Sequence, residues 1–217
     1  MDAAVNRRYV SALDRAGYRL GMRLPPLPRP AGPLTPEQMA RRVVGDRPAE
    51  VTSPITIRPY DPKWPIRYAE EETRIRAALG DRALSVEHVG STAVPALAAK
   101  DRIDIDLIVA DPADEDAYVP DLAGAGYTLR TREPHWYEHR ALWSDSHDVN
   151  MHVFGPDCDE FLRHLIFRDR LRSHPAERDL YAARKHQVAA EHPMSMAHYV
   201  HGKAAVIVEI LRRAGLT

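Results

Sequence analysis

The chain has 217 residues, 44% of them apolar and 28% charged, a balance that fits one sizeable folded domain or one domain with an appendage. A net charge of −1 offers no global attraction to nucleic acid, so any phosphate-binding surface has to be local. The single cysteine, Cys158, excludes an internal disulfide and a thiolate zinc cluster. The first residues lack the apolar core of a signal peptide, and no run reaches the roughly 18 apolar residues of a membrane span. The expectation is a cytoplasmic protein with no membrane partner, and with nucleic acid disfavoured as a partner.

Residues 1–54 read as an N-terminal appendage with a proline-rich linker. Val5, Tyr9, Leu13, Ala16 and Leu20 recur at helical spacing and predict a helix over 1–22. Residues 24–33 are rich in proline, favour extended polyproline conformation and exclude helix. Thr35 is placed to cap a short helix that has Pro36 in its first position and runs to about Val44; loop follows to Pro54. Such a segment either stays a partly disordered tail or packs on the core or on a second copy in a homo-oligomer.

The main domain is expected over 55–217. A short strand over 55–60 stops at Pro59, and a helix over 66–79 is closed by Gly80. A strand at 85–89, a short helix at 96–100, a buried strand at 103–109 and a helix at 114–125 follow. Strands over 127–130, 136–143 and 148–154 come next, then helices over 159–173, 176–191 and 195–214. Strands interleaved with helices, then a helical run, predict an α+β (α/β) fold: a mixed sheet with flanking helices and a C-terminal helical layer.

The chemistry concentrates in residues 86–109. Asp104 and Asp106 interrupt the apolar run Ile103-Asp-Ile-Asp-Leu-Ile-Val. Strand alternation puts both carboxylates on one face, roughly 7 Å apart, and turns Ile103, Ile105 and Leu107 toward the core. A buried acidic pair needs a compensating partner, and oxygen ligands favour Mg²⁺ or Mn²⁺. Two such ions can clamp an in-line displacement at phosphorus. Upstream, Gly90 and Ser91 break the preceding strand where backbone N–H groups can approach a phosphate. His88 is placed to face the same site, and Lys100 lies in the loop that feeds the acidic strand.

Hydrophobic-Gly-Ser, a spacer and Asp-hydrophobic-Asp resemble the nucleotidyltransferase superfamily built on a polymerase-β-like palm. The longer text is similar to the GrpB family: Val86-Glu-His-Val-Gly-Ser-Thr-Ala-Val-Pro, Lys100, Ile103-Asp-Ile-Asp, Asn150-Met-His-Val-Phe and Leu165-Ile-Phe-Arg-Asp-Arg-Leu-Arg-Ser-His-Pro. Tyr181 with Lys185 and Tyr199 with Lys203 agree, and the resemblance spans about 55–216. It implies the nucleotidyltransferase fold and leaves the acceptor open. Some relatives are fused to dephospho-CoA kinase, whose Walker-type Gly-x-x-x-x-Gly-Lys-Ser/Thr this chain lacks. Active superfamily members bring a third carboxylate from a later strand. The matching strand here is 148–154, where Asp148, Asn150 and His152 share a face. His152 is the candidate metal ligand or base near neutral pH, with Asp148 in reserve.

Arg168 and Arg172 are four apart and share a helix face, suited to gripping phosphate oxygens or to pairing with Asp169 and Glu177. Tyr181 with Lys185, and Tyr199 with Lys203, repeat Tyr-x-x-x-Lys; they suit base stacking with a phosphate contact, or a core tyrosine beside a surface lysine. The functional expectation is a metal-dependent nucleotidyltransferase, or an ATP-using activating enzyme, acting on a small-molecule acceptor. Asp104, Asp106 and His152 would be catalytic. Gly90, Ser91, Lys100, Arg168, Arg172, Tyr181, Lys185 and Lys203 would hold the nucleoside triphosphate. The alternative is a non-catalytic nucleotide-sensing or partner-binding module that keeps the pocket.

Overall fold

The computed structural model describes residues 53–216, together with Thr35, Glu37 and residues 42–45. The expected helix over 1–22 and the proline tract lie outside the described residues. Of the second expected helix, the described end docks on the domain: Val43 bridges to Thr131, and Val44 N–H donates to the Arg130 carbonyl at 2.9 Å.

Five strands form one sheet: β1 Ser85–Val89, β2 Ile103–Ile108, β3 Tyr127–Glu133, β4 His139–Ser144 and β5 Val149–Phe154. Their order is β1-β2-β5-β4-β3, with β2 and β5 parallel and every other neighbouring pair antiparallel. The sheet is therefore mixed, as the sequence predicts. The expected first strand, 55–60, stays outside it and, among the described residues, makes only the single bridge Arg58 to Ala99. Pro54 and Pro59 flank it and lack the N–H groups that a ladder needs.

Helix α1, Trp64–Leu79, packs on one face of the sheet and ends at Gly80, whose φ of 57° suits glycine. Helix α2, Val119–Gly124, packs beside it. The expected helix over 114–125 splits, with a 3₁₀ turn at Glu115–Ala117 before Pro120 restarts the chain in α2. No helix forms at 96–100. A 3₁₀ turn occupies Ser91–Ala93 instead, and beyond Pro95 the backbone swings through Ala96 at φ 64° into the Ala99 bridge.

The C-terminal layer is α3 Asp159–Ser173, α4 Pro175–Glu191, α5 Met196–Gly202 and α6 Ala204–Arg213. The expected helix over 195–214 is thus two, joined at Lys203. The Ser195 side chain caps α5 by accepting from His198 N–H. Gly202 lies so close to α4 that a Cβ there would stand 2.7 Å from Val188 Cγ1. No helix among the described residues is long and apolar enough to cross a membrane.

The two faces of the sheet differ in chemistry. Under α1 and α2, Ile103, Ile105, Leu107, Val149, Met151 and Val153 pack with Trp64, Ile75, Leu79, Tyr118 and Leu122. The face under α3 is apolar at one end, where Val89, Ile108 and Phe154 meet Phe161 and Leu165, and polar along the rest of β2 and β5.

Candidate functional site

The register builds the polar face. Val89 and Glu87 of β1 stand opposite Asp104 and Asp106, and across the parallel pair Asp104 aligns with Asn150 and Asp106 with His152. Strand alternation puts these side chains on one surface. His88 belongs to the other face, where it stacks on Tyr68 at 4.6 Å and bonds the Thr92 hydroxyl at 3.1 Å. It therefore does not face the acidic pair, and the packing around it holds its pKa down to about 3.

Gly90 is fixed by close approach. Its φ is 68°, and a Cβ there would fall 2.4 Å from Asp104 Oδ2. The Ser91–Ala93 turn then starts directly over the carboxylate. Arg172 holds that turn: its Nε and Nη2 donate to the Ala93 carbonyl at 2.9 and 2.8 Å.

Three lysines converge beside this loop. Lys185 is 1% exposed and donates to the Ala98 carbonyl, with its Nζ 4.8 Å from the Tyr181 ring centre. Lys203 Nζ lies 4.4 Å from the centre of the Tyr199 ring, and Lys100 Nζ lies 5.3 Å from it. Burial is the largest influence on all three and pushes them down: Lys185 to about 7, Lys203 and Lys100 to about 8. Asp104 is the carboxylate whose charge opposes that fall in each. Burial pushes the Tyr181 phenol up to about 12, while its hydrogen bond with Ser91 pulls the other way. Three ammonium groups around one carboxylate leave an excess of positive charge in a partly desolvated place, which suits an anion carrying several charges.

On the β5 side a hydrogen-bond chain starts at Trp143. Its indole N–H can only donate, and it donates to Asn150 Oδ1 at 3.0 Å. That fixes the amide, so Asn150 Nδ2 faces Asp104 Oδ1 at 3.2 Å and His152 Nε2 at 2.9 Å. His152 Nε2 therefore accepts and its Nδ1–H donates to His139 Nε2 at 2.9 Å. His139 Nδ1 in turn reaches Glu133 Oε2 at 2.7 Å, and Arg42 pairs with Glu133. Desolvation, then the neighbouring His139, hold the His152 pKa down to about 3, which agrees with the neutral tautomer that the chain requires.

Asp106 is fully buried. Its Oδ2 bonds His164 Nδ1 at 2.8 Å, and among the described residues its buried Oδ1 has no hydrogen-bond partner. Although burial opposes it, the Asp106 charge and hydrogen bond push His164 up to about 9. A buried carboxylate oxygen without a partner fits a cation ligand. No group of three or more His, Cys, Asp or Glu among the described residues is arranged to hold a metal. Mg²⁺ does not require one, because it is commonly held by one or two carboxylates plus substrate phosphates and water. Asp104 and Asp106 fit that pattern.

Other candidates are committed elsewhere. Arg168 donates to Glu87, to the His88 carbonyl and to Asp169, and Arg172 pairs with Asp169 besides its clasp on Ala93. Both guanidinium groups serve the protein's own frame. Asp148 bonds Ser144 at 2.9 Å and Arg67 of α1 at 2.9 Å, at the start of β5 and away from the pair. Sequence reasoning misses His164, His139 and Glu133, for which no spacing rule links α3, β3 and β4 to the acidic strand.

A mixed sheet with an acidic pair on β2 and a Gly-Ser loop beside that strand's start defines an α+β protein of nucleotidyltransferase type. The chain belongs to the GrpB family: the family model described as GrpB protein matches residues 54–213. A UPF0157 protein of Halalkalibacterium halodurans is 46% identical over 185 residues, 85% of this chain and 94% of that protein. The crystal structure of a conserved GrpB protein from Enterococcus faecalis superposes with a TM-score of 0.66 at 33% identity, covering 73% of this chain and 96% of that one. A dephospho-CoA kinase of Mycolicibacterium paratuberculosis is 33% identical over 190 residues, 75% of this chain but 46% of that longer protein.

Proposed function

We propose that the polar face binds a nucleoside triphosphate, most simply ATP, with a divalent cation, and transfers its nucleotidyl group to a small acceptor. The observation that carries this reading is the pairing of Asp106, whose buried Oδ1 has no hydrogen-bond partner among the described residues, with the lysine cluster around Asp104. Asp104 and Asp106 would hold Mg²⁺ or Mn²⁺, which supplies charge neutralisation and orientation of the phosphates. The Ser91–Ala93 turn and Lys100, Lys185 and Lys203 receive the β- and γ-phosphates. In the step itself, an acceptor oxygen or nitrogen bonds to the α-phosphorus while the bond to the bridging oxygen breaks and pyrophosphate leaves. The acceptor's proton passes to His152 Nε2 once Asn150 releases it, while His152 Nδ1–H passes to His139 Nε2, so that His152 stays neutral and Glu133 pairs the imidazolium formed at His139.

Calorimetry on the full chain tests the reading. ATP with Mg²⁺ should bind, and replacing Lys185 and Lys203 together by Met should weaken it by about tenfold or more. Failure of ATP to bind the unaltered chain at millimolar concentration would overturn it. A second reading, a nucleotide sensor without turnover, draws on one observation: β5 sets Asn150 and His152, not a carboxylate, beside the acidic pair. Binding without pyrophosphate release across a panel of acceptors favours the sensor.

A further inference from the structure

The site so described has two ends. The loop at Gly90 and the three lysines lie at the start of β2, beside Asp104. At the other end of the pair, beyond Asp106 and His152, an aromatic cluster leads outward to solvent. His152, Phe154 and His164 lie within 6.2 Å of one another by ring centres, and His139 sits 4.8 Å from Phe154. Trp136 closes the series, edge to face on His139 at 5.0 Å and on Phe154 at 5.9 Å. Trp136 is 37% exposed, whereas Trp64 of the core is 1% exposed.

The turn that carries Trp136 is held in an uncommon shape. Tyr137 and Glu138, neither of them glycine, adopt φ of 55° and 50°. Arg140 donates to the Glu138 carbonyl at 2.7 Å, Arg163 of α3 bonds the Tyr137 hydroxyl, and His139 N–H returns to the Trp136 carbonyl at 3.0 Å. Backbone in sparsely populated regions persists only where its surroundings over-determine it, and it clusters at ligand clamps.

We propose that this turn is the acceptor site, with Trp136 as a stacking shelf for a planar aromatic or heteroaromatic molecule bearing a hydroxyl or amino group. The inference rests on the nucleotidyl-transfer reading above. In-line displacement requires the nucleophile to enter opposite the leaving pyrophosphate. With the pyrophosphate at the Gly90 end, the acceptor enters from the Trp136 end. A half-exposed indole braced on two rings offers a flat π face at little entropic loss, which favours planar partners over aliphatic ones of equal size.

The test uses saturation-transfer NMR on the full chain with Mg²⁺ and a nonhydrolysable ATP analogue. Phenol, indole and 2-aminopyridine serve as aromatic probes, with cyclohexanol as the non-aromatic control. The aromatic probes should bind alongside the analogue and cyclohexanol should not. Trp136→Ala should weaken the probes by about tenfold, Trp136→Phe should largely restore them, and analogue affinity should hold within about twofold in both variants. Probe binding that is indifferent to Trp136→Ala, or no probe binding at all, overturns the shelf. So does equal binding of cyclohexanol. Probes displaced by the analogue, or an analogue weakened in Trp136→Ala, would make the shelf a base-binding site and overturn the acceptor assignment. If the analogue fails to bind the unaltered chain, the nucleotide reading falls and the acceptor assignment with it. Analogue binding without a Trp136-dependent probe sinks the shelf alone.

Discussion

The two faces of β2 are built from alternating residues of one short strand, yet they answer to different physics. Ile103, Ile105 and Leu107 are fully buried under α1 and α2 and make no polar demand. Asp104 and Asp106 face α3 and the C-terminal helices, and each depends on groups brought from far along the chain: lysines for one, His164 for the other. The apolar face buys stability, and it would tolerate any hydrocarbon of the right volume. The polar face is an arrangement of charge that gives little stability alone, and on the proposed reading it serves a ligand.

Three tests can break that division. The largest effect is expected from contrasting neighbours. Ile105→Ala should lower stability by about 2–5 kcal/mol in urea unfolding while leaving Mg²⁺-ATP affinity of the folded protein nearly unchanged. Asp104→Asn should reverse the pattern, costing about 1 kcal/mol of stability and about a hundredfold in affinity. Equal losses of both quantities in both variants would end the distinction. Gly90→Ala comes next, because its Cβ would collide with Asp104 and its φ of 68° is strained for alanine. It should lower stability by about 1–2 kcal/mol and weaken binding by about tenfold, and a crystal structure should show the Asp104 carboxylate displaced.

The smallest effect is a proton count. Lys185 titrates at about 7 and Lys100 and Lys203 at about 8, all below the ordinary lysine value. A polyphosphate favours their charged forms, so binding near pH 8 should take up roughly one proton or more, and near pH 6 almost none. Calorimetry in buffers of different ionisation enthalpy measures this. For stability the slope has the same sign as that of a salt-bridged carboxylate, rising with pH, but here the rise removes a penalty instead of adding a gain. The unfolded lysine binds its proton more tightly than the folded one, so the burden is full below about pH 7 and fades as pH rises toward about 10.5. Lys185→Met should flatten that rise.

Much of this was legible in the residues because it is local. Alternation in Ile103-Asp-Ile-Asp gives the two faces without any tertiary knowledge, and Gly90 announces a tight approach. The same parity, carried across β1, places His88 on the far face once Val89 is paired with Asp104. What was not legible depends on encounters between distant elements. An arginine suited to a phosphate is equally suited to a carbonyl, and only packing sends Arg172 to Ala93. His164 reaches Asp106 across 58 positions, and nothing in the spacing of α3 marks it out. The split at Lys203 arises because Gly202 must press against Val188, a constraint set by another helix.

The lysine cluster also has a temporal side. Asp106 is made early, while Lys185 and Lys203 stand near the C-terminal end of the chain. At elongation rates of about 5–20 residues per second the ribosome reaches Lys203 roughly 5–20 s after Asp106. Once Phe154 is made the sheet can close over its hydrocarbon face, while Asp104 waits without Lys185 and Lys203. A nascent protein stalled before α5 would therefore hold its apolar core yet lack Lys203, and on the proposed reading the last helices complete the nucleotide site.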